Sequence, residues 1–303
     1  MTKSRFPITG TFIDEITYGI PEANWTNGQW AAELDNMAEL GIDTLIFIRG
    51  AFENKCVYPS KIFSTLKDED DDFAGFIFCE AAKRGMDVFM GGYISNLTWN
   101  GGDWRTEFTQ NEKFVKECVT RYGDIPSFKG WYIPHEGYDR ILNLKELMGL
   151  AELYKDLCPG KPVLVSPFFR SPVTSTEPFT PERTAEEWDY IFEKHGRFID
   201  YCAFQDGTVP LKDMAAYFGA VGTVCEKYGI ELWSNVETFE RDVRDLYYPI
   251  AFDLLKRKIK EVEGLVAKRI TFEFSHFLSP QSMYISARNL HNLYKRYYGG
   301  KNK

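Results

Sequence analysis

Histidine is scarce in this 303-residue chain, with four in all. No HxH or HExxH spacing joins them, so the patterns that seat a catalytic zinc are missing. The six cysteines form no CxxC pair and no metal spacing. Cys79, Cys118 and Cys225 fall within helical patterns and Cys202 within a strand pattern, as small reduced hydrophobes do. Neither a metal nor a cofactor is expected. Basic residues are not in surplus: the net charge of -8 argues against a nucleic-acid partner and against docking on an anionic membrane. No apolar run approaches the roughly 20 residues of a spanning helix. The start, Met1-Thr-Lys-Ser-Arg-Phe-Pro7, carries charge but no apolar signal region. The chain as given therefore reads as cytoplasmic, or as periplasmic or secreted if a signal was trimmed. Glycine-rich phosphate loops are missing too, because Gly10-Thr-Phe-Ile-Asp-Glu15 does not supply one after the first strand candidate. That counts against a doubly wound open sheet. No proline- or serine-rich linker divides the chain.

What is present is one alternation of strand and helix from end to end. Strand patterns cover Ile8–Ile13, Thr44–Arg49, Val88–Ile94, Gly130–His135, Val163–Phe168, Tyr201–Gln205, Glu231–Val236 and Ile270–Phe274. Apolar residues at helical spacing fill Gln29–Leu40, Phe73–Arg84, Glu112–Tyr122, Leu144–Leu157, Thr184–His195, Leu211–Tyr228, Asp245–Val262 and Pro280–Tyr298. Gly41, Gly85, Gly160 and Gly229 each stand just past a helix and before an apolar strand, where glycine takes the left-handed cap cheaply. The acidic run Asp68–Asp72 precedes the second helix and suits its N-terminus better than a calcium loop. Eight strand–helix units in about 300 residues predict an α/β fold, a (β/α)₈ TIM barrel, as a single domain over residues 1–303. The long loops (50–72, 95–104, 137–143 and 169–181) follow strands, so elaboration gathers at the C-terminal mouth where such barrels build their sites.

Two strand patterns end in an acid: Gly130-Trp-Tyr-Ile-Pro-His-Glu136 and Glu231-Leu-Trp-Ser-Asn-Val-Glu237. On the eightfold count they are the fourth and seventh strands, on opposing sides of the mouth. Glycosidic cleavage needs such a pair: one carboxylic acid to protonate the departing oxygen, one carboxylate to attack carbon or activate water. A gap of about 5–5.5 Å gives retention and about 6.5–9.5 Å inversion. Other candidates for contact with a sugar stand on the same rim: Asp14, Arg49, Tyr93, His135, Tyr138, Gln205, Asp206, Asn235 and His276. Trp99 and Trp104, in the third loop, could stack on sugar rings or anchor that loop. Asp206-Gly207 reads equally as a turn, and Trp131 and Trp233, within strands, read as core.

With these residues in place, the chain resembles the clan of (β/α)₈ glycoside hydrolases with acid/base and nucleophile on strands four and seven. The phrases GTFID, GWYIPHE, FQDG and WSNVE resemble, more narrowly, a largely uncharacterised bacterial family of glycoside-hydrolase-like barrels. The resemblance implies Glu136 as acid/base, Glu237 as nucleophile, and Arg49 as the cation that holds the nucleophile ionised. His135 replaces the asparagine that precedes the acid in the clan. The expectation is a retaining glycoside hydrolase acting on an oligo- or polysaccharide, with carbohydrate as its partner and the oligomeric state open. Two alternatives stand beside it. One is a divalent-metal sugar isomerase or epimerase using Glu136, Asp206, Glu237 and His276 as ligands. The other is a carbohydrate-binding barrel without catalysis.

Overall fold

The computed structural model describes residues 4–17, 22, 24–66, 71–95, 104–137, 144–241 and 246–300. Eight strands close into a barrel: β1 (Gly10–Ile13), β2 (Thr44–Phe47), β3 (Asp87–Gly91), β4 (Phe128–Ile133), β5 (Val163–Val165), β6 (Tyr201–Gln205), β7 (Glu231–Asn235) and β8 (Lys268–Thr271). Every neighbouring pair is parallel, and β8 returns to β1 through Gly10↔Ile270 and Thr11↔Thr271. The helices between them are α1 (Asn27–Glu39), α2 (Phe73–Lys83), α3 (Trp104–Tyr122), α4 (Leu144–Leu157), α5 (Pro181–His195), α6 (Met214–Tyr228), α7 (Phe252–Glu261) and α8 (Ile285–Gly299). The fold class read from the alternation is the one observed.

Side-chain alternation along the strands divides two cores. Phe12, Ile46, Phe89, Tyr132, Leu164, Ala203, Trp233 and Ile270 meet inside the barrel. Their neighbours face the helices: Trp131, one residue before inward Tyr132, packs on Phe114 and Tyr154. Gly41, Gly85 and Gly229 take positive φ of 72°, 67° and 70°, as the helix-end reading predicts. Gly160 does not; Lys161 N–H closes a turn onto Cys158 O, with Pro159 setting the backbone ahead of the glycine. At the second helix, Asp72 is the N-cap and its carboxylate accepts from Gly75 N–H.

Several boundaries depart from the sequence pattern. Tyr93–Ile94 leave the third strand and pair with Ala51–Phe52 in a small side sheet. The seventh helix starts at Phe252 rather than Asp245, because Tyr247–Pro249 pair with Phe239–Arg241 and Pro249 disfavours helix before it. Strand eight stops at Thr271, and Phe274–Phe277 form a helical turn instead.

Candidate active site

Strand parity carries Glu136 and Glu237 to the mouth. Tyr132 and Trp233 face the barrel interior, and positions two and four residues further along share that side. Glu136 and Glu237 stand just beyond the last hydrogen-bonded residues of β4 and β7, each half-buried.

The exit of β6 reaches both acids. Gln205 Nε2 donates to Glu136 Oε1 at 3.0 Å and to Ser166 O at 2.9 Å. Asp206 Oδ1 accepts from Glu237 N–H at 2.9 Å. Gly207 lies flat against the Glu237 carboxylate; a Cβ there would overlap Oε2. A side chain at this position would push the Glu237 carboxylate aside, and the Gln-Asp-Gly step touches both acids.

Beneath Glu237 sits a buried ion pair. Lys258 Nζ on α7 lies 2.6 Å from Asp206 Oδ1, both side chains nearly sealed from solvent, and also donates to Glu237 O at 2.9 Å. Burial pushes the Glu237 carboxyl up to about 7; Asp206 and Glu136 add to the rise, while Lys258 and Arg241 oppose it. Burial also raises Glu136, with the Gln205 hydrogen bond and the Arg49 charge holding it down. Asp206 is raised by burial and held back chiefly by Lys258.

The remaining candidates divide by position. Arg49 is half-buried, packs its guanidinium 5.0 Å from the Phe52 ring centre, and bears on Glu136; the cations bearing on Glu237 are Lys258 and, more weakly, Arg241. Asn235 is buried at the β7 end and donates to Ser166 Oγ at 3.2 Å. Asp206 is turned to Lys258 rather than to the open mouth. His135 has the outward parity of Trp131 and bonds Glu107 Oε1 on α3 at 2.8 Å, with its ring 5.3 Å from that of Trp104. Trp104 belongs to the first turn of α3 and packs on Phe108, because the helix begins eight residues earlier than the apolar periodicity suggests. Tyr93 is buried in the side sheet, stacked on Phe63 at 5.3 Å. Asp14 accepts from Ile16 and Thr17 N–H, shaping the loop after β1. His276 lies beside Glu22 and Glu273 at the β8 exit, so the four ligands of the isomerase reading do not converge. Trp99 and Tyr138 fall outside the described residues.

Lys258 was not singled out from the sequence, although its signal is there. It falls on the apolar stripe Leu255, Ile259 and Val262, where a cation is buried and must find an acid. Gly207 gave no signal beyond a turn.

The fold is a closed (β/α)₈ barrel with Glu136 and Glu237 at its mouth. The chain belongs to the family described as "Domain of unknown function (DUF4434)", which matches residues 8–284. It is similar to the crystal structure of a "putative alpha-L-fucosidase" from Bacteroides thetaiotaomicron VPI-5482. The two share 32% identity at a TM-score of 0.89, over 97% of this chain and 94% of that one. A GH2 beta-galacturonidase from Eisenbergiella tayi aligns at 12% identity and TM-score 0.59, over 96% of this chain and 51% of that one. TsXylA, an intracellular xylanase from Thermoanaerobacterium saccharolyticum JW/SL-YS485, aligns at 12% identity and TM-score 0.54, over 88% of this chain and 85% of that one. At 12% identity the likeness of these last two is one of fold. No curated protein sequence matches the chain. Among the described residues no helix is long and apolar enough to cross a membrane.

Proposed function

We propose that this protein hydrolyses O-glycosidic bonds of an oligo- or polysaccharide with retention, using Glu136 and Glu237 as the reacting carboxyls. The observation that carries the reading is the coupling of two strand-end acids at one barrel mouth. Burial above all, with smaller contributions from the charges of Asp206 and Glu136, lifts Glu237 to about 7, so the pair keeps one proton near neutrality. A retaining hydrolase starts from that state: one carboxyl gives its proton to the glycosidic oxygen as the other attacks the anomeric carbon. Water then cleaves the glycosyl–enzyme ester, and the first carboxyl recovers its proton from that water. Gln205 hydrogen-bonds Glu136 and Arg49 bears on its charge, so both stand ready to contact the sugar.

The resemblance makes Glu136 the acid/base and Glu237 the nucleophile. One observation favours the exchanged roles: Glu237 is pushed to about 7, whereas the burial that raises Glu136 is partly offset by Gln205 and Arg49. A panel of aryl glycosides that includes an α-L-fucoside, chosen for the 32%-identical relative, supplies the assay. Glu136→Gln and Glu237→Gln each abolish turnover; unchanged hydrolysis in either removes that residue from the mechanism. Azide rescue of Glu136→Ala and Glu237→Ala assigns the roles. The nucleophile variant gives the glycosyl azide of inverted configuration, and the acid/base variant gives that of retained configuration.

A further inference from the structure

We propose that Glu22, Glu273 and His276 form a binding site for one divalent transition-metal cation, of the zinc or manganese class, apart from the Glu136–Glu237 pair. One donor atom from each residue lies within 4.8 Å of the others, and all three residues are buried. His276 Nδ1 stands 3.3 Å from Glu22 Oε1 and in close contact with Glu273 Oε1. Apart from the backbone N–H of Glu22 itself, no hydrogen bond from the described residues satisfies any carboxylate oxygen of Glu22 or Glu273.

Other buried acids of this protein are provided for. Asp206 has Lys258, Glu107 has Ser95 and His135, Glu187 has Arg183, and Glu33 has Ser279, Gln281 and Asn36. Glu22 and Glu273, each 0% exposed, share one imidazole, beside the backbone N–H of Glu22. An imidazole ring nitrogen offers a metal ion a lone pair. Buried carboxylates without a cation or donors are costly, and pairing or metal coordination is how proteins offset that cost.

Two carboxylates and one imidazole are a mixed oxygen–nitrogen set. Carboxylates alone would suit calcium or magnesium; the imidazole shifts the preference to zinc or manganese. Glu22 lies in the loop after β1, whereas Glu273 and His276 follow β8. The ion would tie the first loop to the last strand where the barrel closes. This departs from the sequence expectation that no metal is bound.

The test uses the whole chain stripped with a chelator, then titrated with zinc, manganese, calcium or magnesium chloride by calorimetry and thermal melting. One zinc or manganese ion per chain is expected. At free metal 100 times its Kd the folding equilibrium shifts about a hundredfold. Glu22→Gln and Glu273→Gln each weaken binding at least tenfold, while Glu136→Gln binds as the parent does. Should Glu273→Gln not fold, Glu22→Gln and the metal-dependent melting of the parent decide. The proposal is overturned by absence of saturable one-to-one binding, or by binding unchanged in both Gln variants. It is equally overturned if the Gln variants melt higher than a parent that ignores metal, since the carboxyls then share protons instead.

Discussion

Glu237→Gln removes the carboxyl that burial penalises most visibly at the mouth. Its folded-state value stands at about 7 against an ordinary 4.5. A rise of that size is about 3 kcal/mol at roughly 1.4 kcal/mol per unit. Solvent reaching this half-buried side chain screens it to about 2 kcal/mol. The folded value lies above the unfolded one, so folding favours the protonated form. No penalty exists below about pH 4.5; it grows as pH rises toward about 7 and is constant beyond. Glutamine keeps the shape and cannot ionise. Glu237→Gln is therefore more stable than the parent by about 2 kcal/mol at pH 8, or roughly 3 °C in Tm for a chain of about 300 residues. At pH 4 the two melt together. Urea unfolding at both pH values measures the difference. A gain equal at pH 4 and pH 8, or no gain at pH 8, refutes the electrostatic account. Because the charge of Glu136 contributes to the rise, the gain at pH 8 shrinks when Glu237→Gln is made in a Glu136→Gln background.

Turnover of an aryl glycoside falls as pH rises through about 7, where the pair loses its remaining proton; a pH–rate profile of kcat/KM checks this. Arg49→Gln lets the Glu136 carboxyl rise and moves the acidic limb of that profile to higher pH. Gly207→Ala displaces Glu237 while leaving the barrel folded, lowering kcat about a hundredfold with unchanged circular dichroism. Lys258→Met strands Asp206 and costs about 3–5 kcal/mol at neutral pH, whereas Lys258→Met with Asp206→Asn recovers most of it in urea unfolding.

The barrel was legible because each unit carries its own local grammar. The capping glycines 41, 85 and 229 take the left-handed conformation, and each of the eight strand patterns overlaps a barrel strand. Boundaries slipped where long-range pairing prevailed over periodicity, as where Tyr93–Ile94 join Ala51–Phe52 and Tyr247–Pro249 form a hairpin. The two mouth acids follow from strand parity, which local sequence contains. The same parity turns His135 away toward Glu107, although sequence proximity to Glu136 suggested a rim contact.

Local pattern thus settles which segments are strands, which residues end them, and that two of those residues are acids on strands four and seven. Period-two alternation and helix capping act over a few residues, so a linear reading captures them. The electrostatic state of the mouth depends on residues far apart in the chain. Lys258 arrives on α7 to meet Asp206, Gly207 yields space to Glu237, and Glu22 crosses from the first loop to Glu273 and His276. Charge–charge energies vary with distance and burial rather than with sequence separation. Closing the barrel is what brings those charges within range of one another.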